Sequence, residues 1–173
     1  WDITPDLDVS NKNWGASERW FARGIHRPLT GTALAIQDGS LPPLLLLSLD
    51  LGFWRTRADS DTLRLALCQA LSLPEQNLIV HLTHTHSGPL LDSSPTSEAN
   101  PKATAAYLDK LQAACIAGAR SSLEDLRESS LLFHTGSCCL ATHRDLPDPD
   151  NSDRFLVGYH PQIAPDDTLV VAR

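Results

Sequence analysis

The stretch "IVHLTHTHSGPLLD", residues 79 to 92, places His81, His84 and His86 within six positions and then turns at Ser87-Gly88-Pro89. Neutral imidazole is both a metal ligand and a proton carrier at ordinary pH. In extended backbone, side chains two apart share a face with attachment points ~7 Å apart. His84 and His86 would then address one small centre while His81 points the other way. One ring could ligate a metal through nitrogen at ~2.0–2.1 Å, and the other could hold a substrate oxygen or shuttle a proton. The bland alternative is that His84 and His86 are surface loop residues and His81 a satisfied histidine packed on the opposite face. A catalytic zinc usually takes three protein ligands and keeps one position open. No Asp or Glu follows His86 at a recognisable metal spacing, so the site borrows His143 or His160, or its other ligands lie beyond Arg173.

The elements needed to position these residues are legible. "LTGTALAIQ" (29–37) mixes β-branched and apolar residues as a strand does, Asp38-Gly39 supplies a turn, and "LLLLSLDLGF" follows as an apolar strand expected to be buried on both faces. "SDTLRLALCQALSL" puts Leu63, Leu67, Ala70 and Leu71 on one helical face, with Ser60 or Asp61 as N-cap and Pro74 at the exit. "NLIVHLT" is the next strand. Strand, helix and strand in that order predict a right-handed βαβ unit with parallel strands. Those strands end at one sheet edge, at Asp50 and His84, where open α/β sheets bind ligands. Asp50 is either a turn cap or a partner of the site.

A second helix is expected from Asn100 and Pro101 to about Arg127, packing through Leu108, Leu111, Cys115, Ser122 and Leu126. "SLLFHTGSC" returns as a strand carrying His134, and "HRDLPDPDNSDR" reads as a Pro/Asp-rich loop. The fold class is α/β: a mixed sheet with a hairpin and a βαβ unit flanked by helices. The close, "DDTLVVAR", reads as the start of a buried strand with nothing to close the sheet, and the chain opens at Trp1 with no methionine anywhere. Residues 1–173 are therefore expected to be part of a larger protein.

Composition narrows the partners. A formal charge of −7 with scattered Lys and Arg argues against nucleic acid. No apolar run approaches the ~20 residues that span a bilayer, and no signal peptide is visible. Of the four cysteines, Cys68 and Cys115 lie in apolar helical surroundings as small core residues, while adjacent Cys138 and Cys139 lack C-x-x-C spacing.

Six stretches together resemble the neutral/alkaline (non-lysosomal) ceramidase family in its N-terminal catalytic domain. They are "DITP" (2–5), "NWGAS" (13–17), "ARGIHRPLTGTALAIQDG" (22–39), "LLSLDLGF" (46–53), "THTHSGP" (83–89) and "HRDLPDPDNSDRFLVGYHP" (143–161). The resemblance implies a Zn²⁺-dependent amidase that cleaves the N-acyl bond of a ceramide-like lipid into sphingoid base and fatty acid. It implies His84 as a zinc ligand and His86 beside the oxyanion or as a proton carrier. Arg144 and the Gly15 N–H are implied to stabilise the developing negative charge. A second histidine, a glutamate, a tyrosine and the proposed serine would follow residue 173, leaving this chain alone inactive. Secreted or periplasmic placement and membrane-surface contact of the whole protein are further implications. His143 departs from the small amide residue more usual before that arginine, and "SGPLLD" lacks a second glycine. Two other readings stand beside this one: a non-catalytic lipid- or carbohydrate-binding homologue, and a different H-x-H metallohydrolase.

Overall fold

The computed structural model describes residues 1–15, 17–94 and 99–173. They form two compact units, Trp1–Leu126 and Arg127–Arg173.

In the first unit, β1 (Gly31–Ile36) and β2 (Leu44–Leu49) make the expected antiparallel hairpin, with Gly31 opposite Leu49 and Ile36 opposite Leu44. In its loop the Leu41 N–H donates to the Asp38 carbonyl at 3.0 Å. Gly39 there takes a φ of 54°, a left-handed conformation that glycine enters without a Cβ clash. The strand β3 (Leu78–Leu82) runs parallel to β2 on its other edge, giving the mixed order β1-β2-β3. The α/β class and the parallel pair are as the sequence led us to expect.

Helix α1 (Arg57–Leu71) connects β2 to β3 and begins earlier than Ser60 or Asp61. The cap is Thr56, whose Oγ1 accepts from the Asp59 N–H at 3.1 Å and donates to Asp59 Oδ2 at 2.7 Å. The cap satisfies the orphan N–H of Asp59 in the first turn. Ser72 closes the helix in the left-handed region. Helix α2 (Pro101–Glu124) starts as expected, with Asn100 accepting from the Ala103 N–H. Its buried face is Thr104, Tyr107, Leu111, Cys115 and Ala119. Of the anticipated stripe, Leu111 and Cys115 are buried and Leu108 packs partly buried against the core, whereas Leu126 lies past the helix end and is exposed. The face is turned toward Tyr107 because its hydroxyl donates to the Ile3 carbonyl at 2.8 Å. That bond ties the helix to an N-terminal segment with no periodicity.

Both helices pack on one face of the sheet. There Leu45, Leu47 and Leu49 are fully buried against Leu63, Leu67, Tyr107 and Leu111. Each such leucine contributes about 1.5–3 kcal/mol of hydrophobic stabilisation. Burial along β2 alternates, so the strand is not buried on both faces as its near-continuous apolar run predicted. The face carrying Leu34 and Ile79 stays about half exposed. Cys115 lies within the core, where burial pushes its thiol up to about 12. Among the described residues no helix is long and apolar enough to cross a membrane.

The second unit is two antiparallel pairs: β4 (Phe133–Ser137) with β7 (Thr168–Ala172), and β5 (Asp145–Asp148) with β6 (Asn151–Val157). Two expectations fail here. The Pro/Asp-rich "loop" is a hairpin, for Pro147 sits in a strand with one neighbour, where its missing N–H costs no ladder bond. Arg154 pairs with the buried Asp148 carboxylate across the same hairpin. The final strand, β7, has a partner in β4 and is exposed throughout rather than buried.

Candidate metal-binding edge

The carboxyl ends of β2 and β3 lie side by side, Leu49 opposite Leu82. The Thr83 N–H donates to the Leu49 carbonyl at 3.0 Å and the Thr85 N–H to Leu51 at 3.3 Å, so the two chains stay together past the strands. At this edge the rings of His84 and His86 stand 5.6 Å apart, nearly perpendicular. The convergence was expected, but its cause differs. The strand ends at Leu82 and His84 adopts a φ of 62°. It is therefore a left-handed residue, not part of an extended run with alternating faces. A non-glycine residue there costs about 1–3 kcal/mol, and such strain collects at sites where geometry matters.

Local contacts hold the rings. His84 Nδ1 lies 3.3 Å from the Gly52 carbonyl. That oxygen only accepts, so Nδ1 carries the proton and Nε2 keeps its lone pair. Histidines that ligate metals are commonly oriented in this way. The indole of Trp14 stacks on His86 at 3.7 Å, 15° from parallel, and meets His84 and Phe53 edge-on at 4.9 and 5.1 Å. Arg55 closes the back, its guanidinium over Phe53 and its Nη2 donating to the Asn13 carbonyl at 2.7 Å. Buried Asn13 donates from Nδ2 to the Pro89 carbonyl at 3.4 Å. A Cβ added at Gly52 would come within 2.5 Å of Asn13 Nδ2 and 3.2 Å of the Thr85 carbonyl, so this position requires glycine for close approach.

Asn13, Trp14, Gly52 and Phe53 were not singled out for these roles in the sequence. The available signal was a tryptophan beside a glycine in a segment without strand or helix periodicity, where an exposed loop has no use for an indole. Gly15 follows Trp14 in an exposed turn closed by the Ser17 N–H donating to the Trp14 carbonyl at 2.9 Å; Ala16 lies outside the described residues. An added Cβ at Gly15 would meet nothing within 4 Å. Arg144 belongs to the second unit, at the start of the β5–β6 hairpin, where its carbonyl accepts from the Gly158 N–H at 2.8 Å. The first unit thus gathers His84 and His86 without it.

Two further side chains find ordinary structural roles. Asp50 Oδ2 accepts from the Thr30 N–H at 2.9 Å and from its hydroxyl at 2.7 Å, clasping the entry of β1 to the exit of β2. The Thr30 hydroxyl, helped by its N–H and by Thr83, holds this carboxyl below its usual range. His81 is on the opposite face, exposed rather than packed, with Nδ1 3.2 Å from Ser48 Oγ.

His84, with Nδ1 turned to the Gly52 carbonyl, fits a zinc site as a single ligand through Nε2. Among the described residues no group of three or more His, Cys, Asp or Glu is arranged to hold a metal ion. Comparisons of the chain with family models, curated proteins and solved structures return no match.

Proposed function

We propose that this chain carries part of the site of a zinc-dependent amidohydrolase acting on the N-acyl bond of a ceramide-like lipid. The observation that carries the reading is the His84–His86 pair at the carboxyl edge of parallel strands, with His84 Nδ1 anchored on a carbonyl and Nε2 left for a ligand. His84 would hold the ion. Zinc in such a site supplies Lewis-acid polarisation of a carbonyl and an activated water. His86, exposed at the edge and fixed in orientation by Trp14, is suited to hold or move a proton at the reacting group. The Gly15 N–H would stabilise the developing negative charge, and the family resemblance implies a charge-stabilising role for the Arg144 guanidinium as well.

The test is metal content and hydrolysis of a fluorescent N-acyl sphingosine by the full-length gene product. His84→Ala should lose one equivalent of zinc. His86→Ala should keep the zinc and lower turnover by about 10²–10⁴-fold, and Arg144→Ala by about 10²–10³-fold. Unchanged zinc in His84→Ala would refute the assignment. A second reading, lipid binding without turnover, is favoured by the lack of a third ligand in any described cluster. It predicts lipid binding that is indifferent to His86→Ala, with no hydrolysis.

A further inference from the structure

The β5–β6 hairpin of the second unit brings together two histidines that the reading above does not use. Asp145 pairs with Val157 at the open end of the ladder. Two bonds continue it outward: the Gly158 N–H to the Arg144 carbonyl at 2.8 Å, and the His160 N–H to the His143 carbonyl at 2.9 Å. His143 and His160 are thereby held side by side, their rings 5.6 Å apart and 75° from parallel. They line a cleft of about 420 Å³ whose other walls include Cys139, Thr142, Tyr159 and Asp167.

The two rings are prepared differently. His160 Nδ1 is 2.8 Å from the Asp145 carbonyl, an oxygen that only accepts. Nδ1 therefore bears the hydrogen, and Nε2 offers its lone pair in the manner of an oriented metal ligand. His143 Nδ1 is buried with no hydrogen-bond partner among the protein groups. A buried ring nitrogen of this kind calls for a hydrogen-bond partner or, in the tautomer that leaves its lone pair free, a cation. With metal–nitrogen bonds of about 2.0–2.1 Å, two imidazole centres sit about 3.2 Å from a shared ion. A 5.6 Å separation of centres then corresponds to an angle near 120° at the metal, within the range of four-coordinate sites.

We propose that this cleft is a second divalent-cation site, held by His143 and His160 and selective for the imidazole-preferring ions of the Zn²⁺, Ni²⁺ and Cu²⁺ class. Because among the described residues no third ligand is already in place, water completes the coordination, and the cleft has room for it. The site belongs to the second unit alone and stands whether or not His84 binds zinc.

The chelator-stripped protein, titrated with Zn²⁺ alone, should bind at the His143–His160 cleft. His160→Ala should weaken that site at least tenfold and leave any site lost in His84→Ala intact. A His160→Ala isotherm identical to that of the unmodified protein overturns the proposal. A second measurement leaves both cleft histidines in place. Substoichiometric Cu²⁺ should broaden the imidazole resonances of His143 and His160 while His134 and His26 stay sharp. If His143 and His160 remain sharp in the His84→Ala protein, where the other proposed site cannot compete for the ion, the cleft is not a cation site.

Discussion

The histidine pair at 84 and 86 and the pair at 143 and 160 share a ring separation of 5.6 Å and a near-perpendicular arrangement, yet they are built in opposite ways. The first comes from neighbours in sequence, bent together by a left-handed residue and clamped by Trp14. Behind it lies a sheet whose central leucines are fully buried under two helices. The second comes from residues at the two ends of a hairpin, brought together by cross-strand bonds. Behind it lie strands with exposed faces, including Phe155 and Val157. A ligand pair thus needs local geometry, while the rigidity of that pair depends on what is packed behind it.

The largest test of this contrast compares deletions in the two backgrounds. Leu67→Ala, fully buried in α1, should cost about 2–5 kcal/mol. Val157→Ala, 82% exposed at the end of β6, should change stability by no more than about 0.5 kcal/mol. Denaturant unfolding measures both, and equal costs would erase the distinction between a packed and an open support.

A smaller effect is expected at Gly52. The Cβ of Gly52→Ala would press on Asn13 and the Thr85 backbone, costing about 1–3 kcal/mol. The Trp14–His86 stack should loosen with it, so near-UV circular dichroism should weaken and zinc affinity at His84 fall. The His143–His160 cleft should be unaffected. Loss at both sites would show that the pairs are not independent.

The smallest concerns acid. At Asp59 burial raises the carboxyl, but hydrogen bonds from Ser93 and Thr56 outweigh it and hold it lowered; Asp50 is lowered by Thr30. A carboxyl lowered by folding adds stability in full above its unfolded value, about 3.9, and loses it as pH falls through the folded value. Asp59→Asn should therefore cost about 1 kcal/mol at pH 7, and the difference from the unmodified protein should shrink below about pH 4. Urea unfolding at both pH values checks it. A difference that grows on acidification would mean the carboxylate destabilises the fold.

Much of the first unit was legible in the residues. The apolar runs, the Asp38-Gly39 turn, the Asn100-Pro101 start and the β2–α1–β3 order all follow from local rules that need no distant partner. Strand β2 misled because an apolar run tells how a segment prefers to be buried, not whether two layers exist to bury it. The Pro/Asp-rich hairpin misled because composition reports turn propensity, whereas pairing is a contact between separated segments. In the candidate site, the His84–His86 pairing could be read from its spacing, but the reason for it could not.

By itself the sequence determined which side chains were available for chemistry, the α/β class and the sheet edge they would occupy. These depend on periodicity, caps and turn residues within a few positions of one another. Only the tertiary structure decided that His84 leaves the strand in a left-handed turn and that Trp14 stacks on His86. It also decided that His143 and His160 meet. Each of these is a contact between segments distant in the chain, or a strain tolerated because such contacts compensate for it, and no local pattern encodes either.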